Sequence, residues 1–268
     1  AETATWRSEA GSDAALRDLK RASPGLGIEL VALLPLPPLT AGSGSLLDSR
    51  ESRGRIVSAL ASKIGTDVYA GLCLYPLNVG PGHIPGLRAL LSEMTAALTP
   101  GVKSCLVTEA GGALWRDAGL VQAVDSVLLQ AFLEPGSAAP PGPLAPQDWF
   151  ETLLNDAGAA VGPEKLRVAL GSFAVMWAED DAEPTGLAFA EAMRLLARNA
   201  STVGLDAGSL NTRATYVAED GRERELWFLD AASLHNQLKA LGDRRIAGVA
   251  LWAVGLEDPG AWTLVTRG

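Results

Sequence analysis

The sequence predicts an α/β fold in which helices cover a parallel sheet. Short apolar strands alternate with helical stretches along the chain, and the strands are apolar on both faces, as strands of a covered parallel sheet are. The 268 residues, 48% of them hydrophobic, suit one large α/β domain or two small ones. Six such strands indicate either a doubly wound sheet or most of a (β/α)₈ barrel.

The elements follow one another in a regular order. Strands are recognised as short, leucine-rich or β-branched runs, and helices as longer stretches with apolar residues at a spacing of three or four. The predicted strands are 27–36, 68–77, 102–108, 126–133, 166–177 and 246–254. The predicted helices are 52–64, 84–98, 117–124, 147–160, 185–199 and 231–241. Asp230 directly precedes the last helix and is predicted to cap it.

One segment breaks the alternation between strand and helix. Residues 213–230 alternate apolar and polar side chains around Asp220 and Gly221, a pair typical of hairpin turns. We therefore expect a small antiparallel hairpin inserted before the last parallel strand. The predicted organisation is a single domain over 1–268 that carries a small inserted subdomain at 200–230.

Loops rich in proline and glycine lie at 35–45, 78–85 and 135–146. Each loop follows the carboxyl end of a predicted strand. In α/β barrels and doubly wound sheets this edge carries the functional site. We therefore look for functional residues at these strand ends.

Composition excludes several classes of function. Lys plus Arg is 22 and Asp plus Glu is 31, so the net charge is −9, which argues against nucleic acid and anionic membrane surfaces as partners. No apolar run is long enough to span a bilayer. Cys73 and Cys105 lie inside apolar runs, where a free cysteine acts as a small hydrophobic residue, so we expect neither a disulfide scaffold nor a zinc site. With only two histidines, no metal site or other cofactor is predicted.

Five segments resemble the glycoside hydrolase family 18 fold. They are PLAPQDWF at 143–150, PEKLRVALG at 163–171, AGSLNTRATYVAEDG at 207–221, LWFLDAASLHNQL at 226–238 and GVALWAVGLEDPGAW at 248–262. The sequence is most similar to the family-18-like domains of bacterial proteins that also carry a polysaccharide deacetylase and a family 2 glycosyltransferase. The resemblance implies a TIM barrel and an extracytoplasmic, periplasmic or secreted, location.

The resemblance also implies an incomplete barrel. It matches 27–36 to the third strand of the family, so the first two strands are missing or reduced to residues 2–6. Because such a barrel has open edges, we expect a protein partner or an upstream segment to cover them.

The catalytic strand of the family departs from its pattern here. The family carries D-G-x-x-x-D-x-E, whose last Glu protonates the glycosidic oxygen and whose neighbouring Asp polarises the acetamido group of the substrate. The matching stretch is 70–77, and the family's functional positions fall on Ala70, Cys73, Tyr75 and Leu77. Leucine donates no proton, so the resemblance implies that the family mechanism is lost.

A sugar site can outlast catalysis because aromatic faces stack on sugar rings. Trp252 matches the tryptophan at the floor of the family's sugar subsite. The family's M-x-Y-D-E becomes residues 130–134, with Phe132 in place of the tyrosine that holds the acetamido oxygen and Leu133 in place of the aspartate. The predicted ligand-binding residues are Trp252, Trp177, Gln130, Phe132, Glu134 and Tyr75.

Three functions remain open. The first is a catalytically inactive domain that binds glycan or a protein partner in bacterial exopolysaccharide synthesis or export. The second is an active glycoside hydrolase that uses Glu109 and Glu134, which both end predicted strands at the same rim. The third is a structural scaffold subunit of a membrane-associated assembly.

Overall fold

The structure is a computed structural model that describes residues 18–19, 21–22, 25, 29–38, 45–66, 69–178, 183–242 and 244–265. The chain divides into two compact units, Ala1–Thr108 with Leu114–Val127, and Glu109–Ala113 with Leu128–Gly268. Residues 2–6, where the sequence left room for a reduced strand, lie outside the described residues. No helix in the described parts of the chain has the length and apolar character that crossing a bilayer requires.

The first unit contains the beginning of the parallel sheet. Its strands lie side by side in chain order and are β1 (Val31–Leu36), β2 (Gly71–Pro76) and β3 (Lys103–Glu109). The helices are α1 (Arg50–Thr66), α2 (Ile84–Ala97) and α3 (Ala118–Gln122). The helix predicted over 84–98 is confirmed as α2, which buries Leu87, Leu90, Leu91 and Met94.

The prediction of two free cysteines is wrong. Cys73 and Cys105 form a disulfide, with their Cα atoms 4.3 Å apart. They occupy directly paired positions of β2 and β3. The pairing of these strands brings together two residues that are 32 positions apart in the sequence, a proximity that the sequence spacing does not reveal.

The second unit contains the other parallel strands. They lie in the order β4 (Ser126–Gln130), β5 (Leu166–Gly171) and β11 (Gly248–Trp252), of which β4 begins in the first unit. The helices of this unit are α4 (Gln147–Val161), α5 (Phe189–Arg198), α6 (Ala231–Gly242) and α7 (Gly260–Val265). Asp230 caps α6 as predicted, because its Oδ1 accepts a hydrogen bond from Ser233 N at 3.0 Å.

The inserted hairpin belongs to a larger antiparallel sheet. Its strands are β6 (Ala174–Ala178), β7 (Thr185–Leu187), β8 (Ser201–Leu205), β9 (Thr212–Val217) and β10 (Glu223–Phe228). These five strands lie in the order β7-β6-β10-β9-β8, and β9 pairs with β10 as the predicted hairpin. Gly221 in the turn of this hairpin has φ +79°, in the left-handed region that glycine enters without a steric penalty.

This sheet corrects two predicted elements. The single strand predicted over 166–177 is two strands, because β5 ends at Gly171 and β6 joins the antiparallel sheet. The helix predicted over 185–199 begins only at Phe189, after the short strand β7. Both stretches are continuous in their apolar character, so periodicity alone does not reveal where the chain changes sheets.

Candidate ligand-binding site

An aromatic pocket lies in the second unit at the carboxyl ends of β4, β5 and β11. Its volume is about 270 Å³. It is lined by Phe132, Glu134, Pro135, Phe173, Val175, Pro184, Gly186, Trp252 and Leu256. This is the edge of the sheet at which the sequence predicted the site.

Three aromatic side chains form the apolar wall of the pocket. Trp252 ends β11, where it is paired with Gly171 of β5 and is half-buried. Phe132 follows β4, and its ring centroid lies 6.5 Å from that of Trp252. Phe173 packs edge-on against Phe132 at 5.3 Å. Such a wall presents the kind of surface on which the apolar face of a sugar ring stacks.

Close packing at Gly171 holds this wall together. A Cβ atom on Gly171 would meet Leu229 at 2.5 Å, Phe173 at 2.8 Å and Phe132 at 3.2 Å. Only glycine leaves room for both phenyl rings here, so this residue contributes directly to the shape of the pocket.

Backbone hydrogen bonds fix the segment that carries Glu134. Leu133 N donates to Leu144 O at 2.6 Å. The neighbouring Ala145 exchanges two hydrogen bonds of 2.9 Å with the buried amide of Asn211. The loop at 135–146 is therefore tied both to the end of β4 and to the antiparallel insertion.

Glu134 is the ionisable side chain of the pocket lining. It is exposed to solvent on one side, but burial against the protein and then the negative charge of Glu109 raise the pKa of its carboxyl group. Glu109 ends β3, and the next residue, Ala110, donates its backbone N–H to Gln130 O at 3.1 Å. The two carboxylates are thus close enough for their charges to interact, as their predicted positions at one rim require.

Three predicted ligand-binding residues, Trp177, Gln130 and Tyr75, lie outside the pocket lining. Trp177 is on β6, is only 7% exposed, and donates its indole N–H to Ala139 O at 2.9 Å. It packs in a hydrophobic cluster. Gln130 is buried within β4.

The residues that the resemblance matches to the family's catalytic positions lie along β2 of the first unit or beside it. Ala70 precedes the strand, Cys73 is held in the disulfide, and Tyr75 is half-buried near its end. Leu77 follows the strand and donates its backbone N–H to Leu36 O at 3.3 Å. None of these side chains is a carboxylic acid.

The sequence did not identify the pocket residues from the antiparallel insertion. Phe173 directly precedes β6, Val175 lies on β6, and Gly186 lies on β7. The prediction of one strand over 166–177 conceals the first two, and the prediction of a helix over 185–199 conceals Gly186. The glycine at 171 followed by a serine was the available signal for a break there.

Known proteins resemble this chain at low identity. The cortical fragment-lytic enzyme of Bacillus anthracis is 22% identical over 150 residues, which are 54% of this chain and 35% of that protein. The chain thus spans about a third of the length of this relative. No family model matches the sequence.

Solved structures resemble the chain over nearly its whole length. The Bacillus cereus spore cortex-lytic enzyme SleL matches with a TM-score of 0.86 at 15% identity, covering 99% of this chain and 64% of the SleL chain. A chitinase from Chromobacterium violaceum matches with a TM-score of 0.84 at 20% identity, covering 98% of this chain and 86% of the chitinase chain. These matches confirm the predicted fold class, an α/β fold of the kind seen in the chitinase and in SleL, and here an antiparallel insertion precedes the last parallel strand.

Proposed function

We propose that this chain is a glycan-binding domain that has the fold of a chitinase-like hydrolase and no longer carries out its hydrolysis. The observation that carries this proposal is the aromatic pocket with Trp252 at the end of β11. The relatives with this fold include a chitinase and cortex-lytic enzymes. An oligosaccharide is therefore the ligand class that best fits the pocket.

Loss of hydrolysis is proposed from the residues at the family's catalytic positions. Leu77 stands where the proton donor is expected, and Tyr75 stands where the helper carboxylate is expected. A leucine side chain neither donates nor accepts a proton, so general acid catalysis from this position is excluded. Cys73, which the resemblance also matches to a functional position of the family, forms a disulfide and therefore has a structural role.

Calorimetric titration with chito-oligosaccharides and with other bacterial glycans tests the proposal. We expect saturable binding without release of reducing ends. Trp252→Ala should lose about tenfold in affinity, since the loss of a stacked aromatic contact can cost about 1.4 kcal/mol. The matched control is Trp262→Ala, which removes an exposed tryptophan on α7 outside the pocket. Absence of binding to every glycan would contradict the proposal.

We further propose an extracytoplasmic location. The Cys73–Cys105 disulfide supports it, because disulfides persist mainly in oxidising compartments. A role in bacterial exopolysaccharide synthesis or export rests on the resemblance to domains that accompany a deacetylase and a glycosyltransferase. Localisation of the protein by cell fractionation, together with glycan secretion in a deletion strain, tests both statements.

The second candidate is a hydrolase that uses relocated carboxylates. The raised pKa of Glu134 favours it, because a general acid needs a carboxyl group that stays protonated at working pH. Glu109 would then serve as the base or nucleophile. Hydrolysis of a glycan that Glu134→Gln abolishes and Trp262→Ala leaves intact would support this candidate over the inactive domain.

The third candidate is an interaction subunit, and an apolar groove supports it. The groove has a volume of about 590 Å³, and β11 beside it ends the parallel sheet among the strands that the structure describes. It is lined by Leu170, Leu234, Leu238, Val249, Ala250, Leu251, Val254, Trp262 and Leu264. Val249 and Val254 are 48% and 74% exposed.

The occupant that fits this groove is a β-strand with an adjoining amphipathic helix from another polypeptide. The free edge of β11 offers backbone hydrogen bonds to a strand, and the leucines of α6 offer an apolar face to a helix. The match covers 86% of the Chromobacterium chitinase, so that protein has further residues to which no part of this chain corresponds.

A hydrophobic dye tests whether the groove is open to such a segment. The chain should bind the dye, and Leu238→Glu should weaken binding, whereas the control Val217→Glu, at an exposed valine on β9, should not. Absence of dye binding would contradict an open groove.

A further inference from the structure

The pocket combines aromatic walls with one negative charge. Glu134 is the single ionisable side chain among the described residues that line it, and the other side chains of the lining are apolar apart from the indole N–H of Trp252. Aromatic faces and a carboxylate together form the environment that recognises organic cations, through cation–π attraction and ion pairing. The chemistry of this lining therefore selects a ligand by charge as well as by shape.

The electrostatics around Glu134 reinforce this selection. Within the part of the chain that the structure describes, Glu134 forms no salt bridge. Burial and then the negative charge of Glu109, another carboxylate, raise the pKa of Glu134. A positive group placed in the pocket would offset both the burial of the charge and the repulsion between the two carboxylates.

An acetamido group is a poorer fit to the same wall. Its carbonyl oxygen needs a hydrogen-bond donor, and the resemblance places that donor, a tyrosine hydroxyl, at Phe132. A phenylalanine ring donates no hydrogen bond, and a carboxylate only accepts them. A protonated amine, which has three donors and no acceptor, matches what Glu134 offers.

We propose that the pocket recognises a glycan unit with a free, protonated amino group, a glucosamine-type sugar, with its ring stacked on Trp252 and its ammonium group paired with the Glu134 carboxylate. This inference rests on the proposed glycan-binding function and names its ligand class. It assigns Glu134 the role of a specificity-determining residue.

Paired titrations with glucosamine oligomers and N-acetylglucosamine oligomers of equal length test this assignment. At about pH 6 the amine is protonated, since amino groups of this kind have a pKa of about 7.7. We expect the amine form to bind about tenfold more tightly, which corresponds to about 1.4 kcal/mol. Glu134→Gln should remove this preference while leaving binding of the acetylated oligomer within about twofold, well under that 1.4 kcal/mol.

A charge-matched variant separates a site effect from general attraction between the acidic chain and a cationic glycan. Glu219→Gln changes the net charge by the same amount as Glu134→Gln, at an exposed position in the hairpin turn. It should retain the full preference for the amine form. An equal loss of preference in both variants would overturn the assignment to Glu134.

The failures of the two proposals are distinguishable. Equal affinity for both oligomers in the unmodified chain would overturn the amine preference and leave the glycan-binding function standing. Binding of neither oligomer, nor of any other glycan, would overturn both.

Discussion

At the scale of single residues, the proposed loss of hydrolysis and the proposed ligand class both depend on which positions carry a carboxylate. The family pattern has its proton donor at the position that Leu77 occupies here, while Glu134 is the one carboxylate among the described residues that line the pocket of the second unit. The resemblance pointed to Trp252 and Phe132, and the end of a predicted strand pointed to Glu134; all three line the pocket. Trp177 does not line it, and its strand belongs to the antiparallel sheet.

The pH dependence of stability should report the environment of Glu134. Its pKa is higher in the folded chain than its ordinary value of 4.5, so its ionisation costs folding free energy as pH rises through the folded pKa. Glu134→Gln should therefore raise the free energy of unfolding at neutral pH, and the gain should vanish below the ordinary pKa. Urea denaturation at a series of pH values measures this difference. A Gln variant less stable than the unmodified chain at pH 7 would contradict the assigned environment.

At the scale of elements, the sequence predicted the type and order of the parallel strands and the helices between them. It failed where tertiary pairing overrides local pattern, as in the two consecutive strands β5 and β6 and in the cysteine pair. Both failures share a cause, because strand partners are set by contacts between distant residues and leave no local periodicity. Hairpins are the exception, and β9–β10 was predictable because its turn residues adjoin the strands they connect.

The pairing of β2 with β3 should depend measurably on its disulfide. Replacing both Cys73 and Cys105 by serine should lower the free energy of unfolding by about 3 to 4 kcal/mol, which is the loop-entropy estimate for a closed loop of this size. A reducing agent should destabilise the unmodified chain by a similar amount and leave the double variant unaffected, as denaturation curves would show. Two titratable thiols in the untreated native chain would contradict the disulfide.

The junction between β5 and β6 should not tolerate a larger residue. Gly171→Ala places a methyl group against Leu229 and two phenyl rings of the pocket, so we expect a loss of about 1 to 3 kcal/mol in stability and weaker glycan binding. Gly204→Ala on β8 is the matched control, because a Cβ there meets nothing within 4 Å. Thermal denaturation compares the two. Equal behaviour of both variants would show that the close packing at Gly171 is not required.

At the scale of the whole molecule, composition and alternation predicted an α/β fold but left a doubly wound sheet and a barrel open. The family resemblance favoured the barrel, and the structural matches confirm that fold class. The site was only partly predictable. The strand ends were located correctly, whereas the contribution of the antiparallel insertion, through Phe173, Val175 and Gly186, required coordinates. The net charge of −9 argues against polyanionic partners and agrees with the proposed preference for neutral or cationic glycans.

The central claim is that a chitinase-like fold has kept a sugar pocket and lost hydrolysis. The most direct test is to incubate the purified chain with chito-oligosaccharides and glucosamine oligomers while recording both binding heat and release of reducing ends. The account predicts saturable binding heat, an affinity that falls about tenfold in Trp252→Ala, and no cleavage above the buffer blank. Turnover of either oligomer by the purified chain would contradict it.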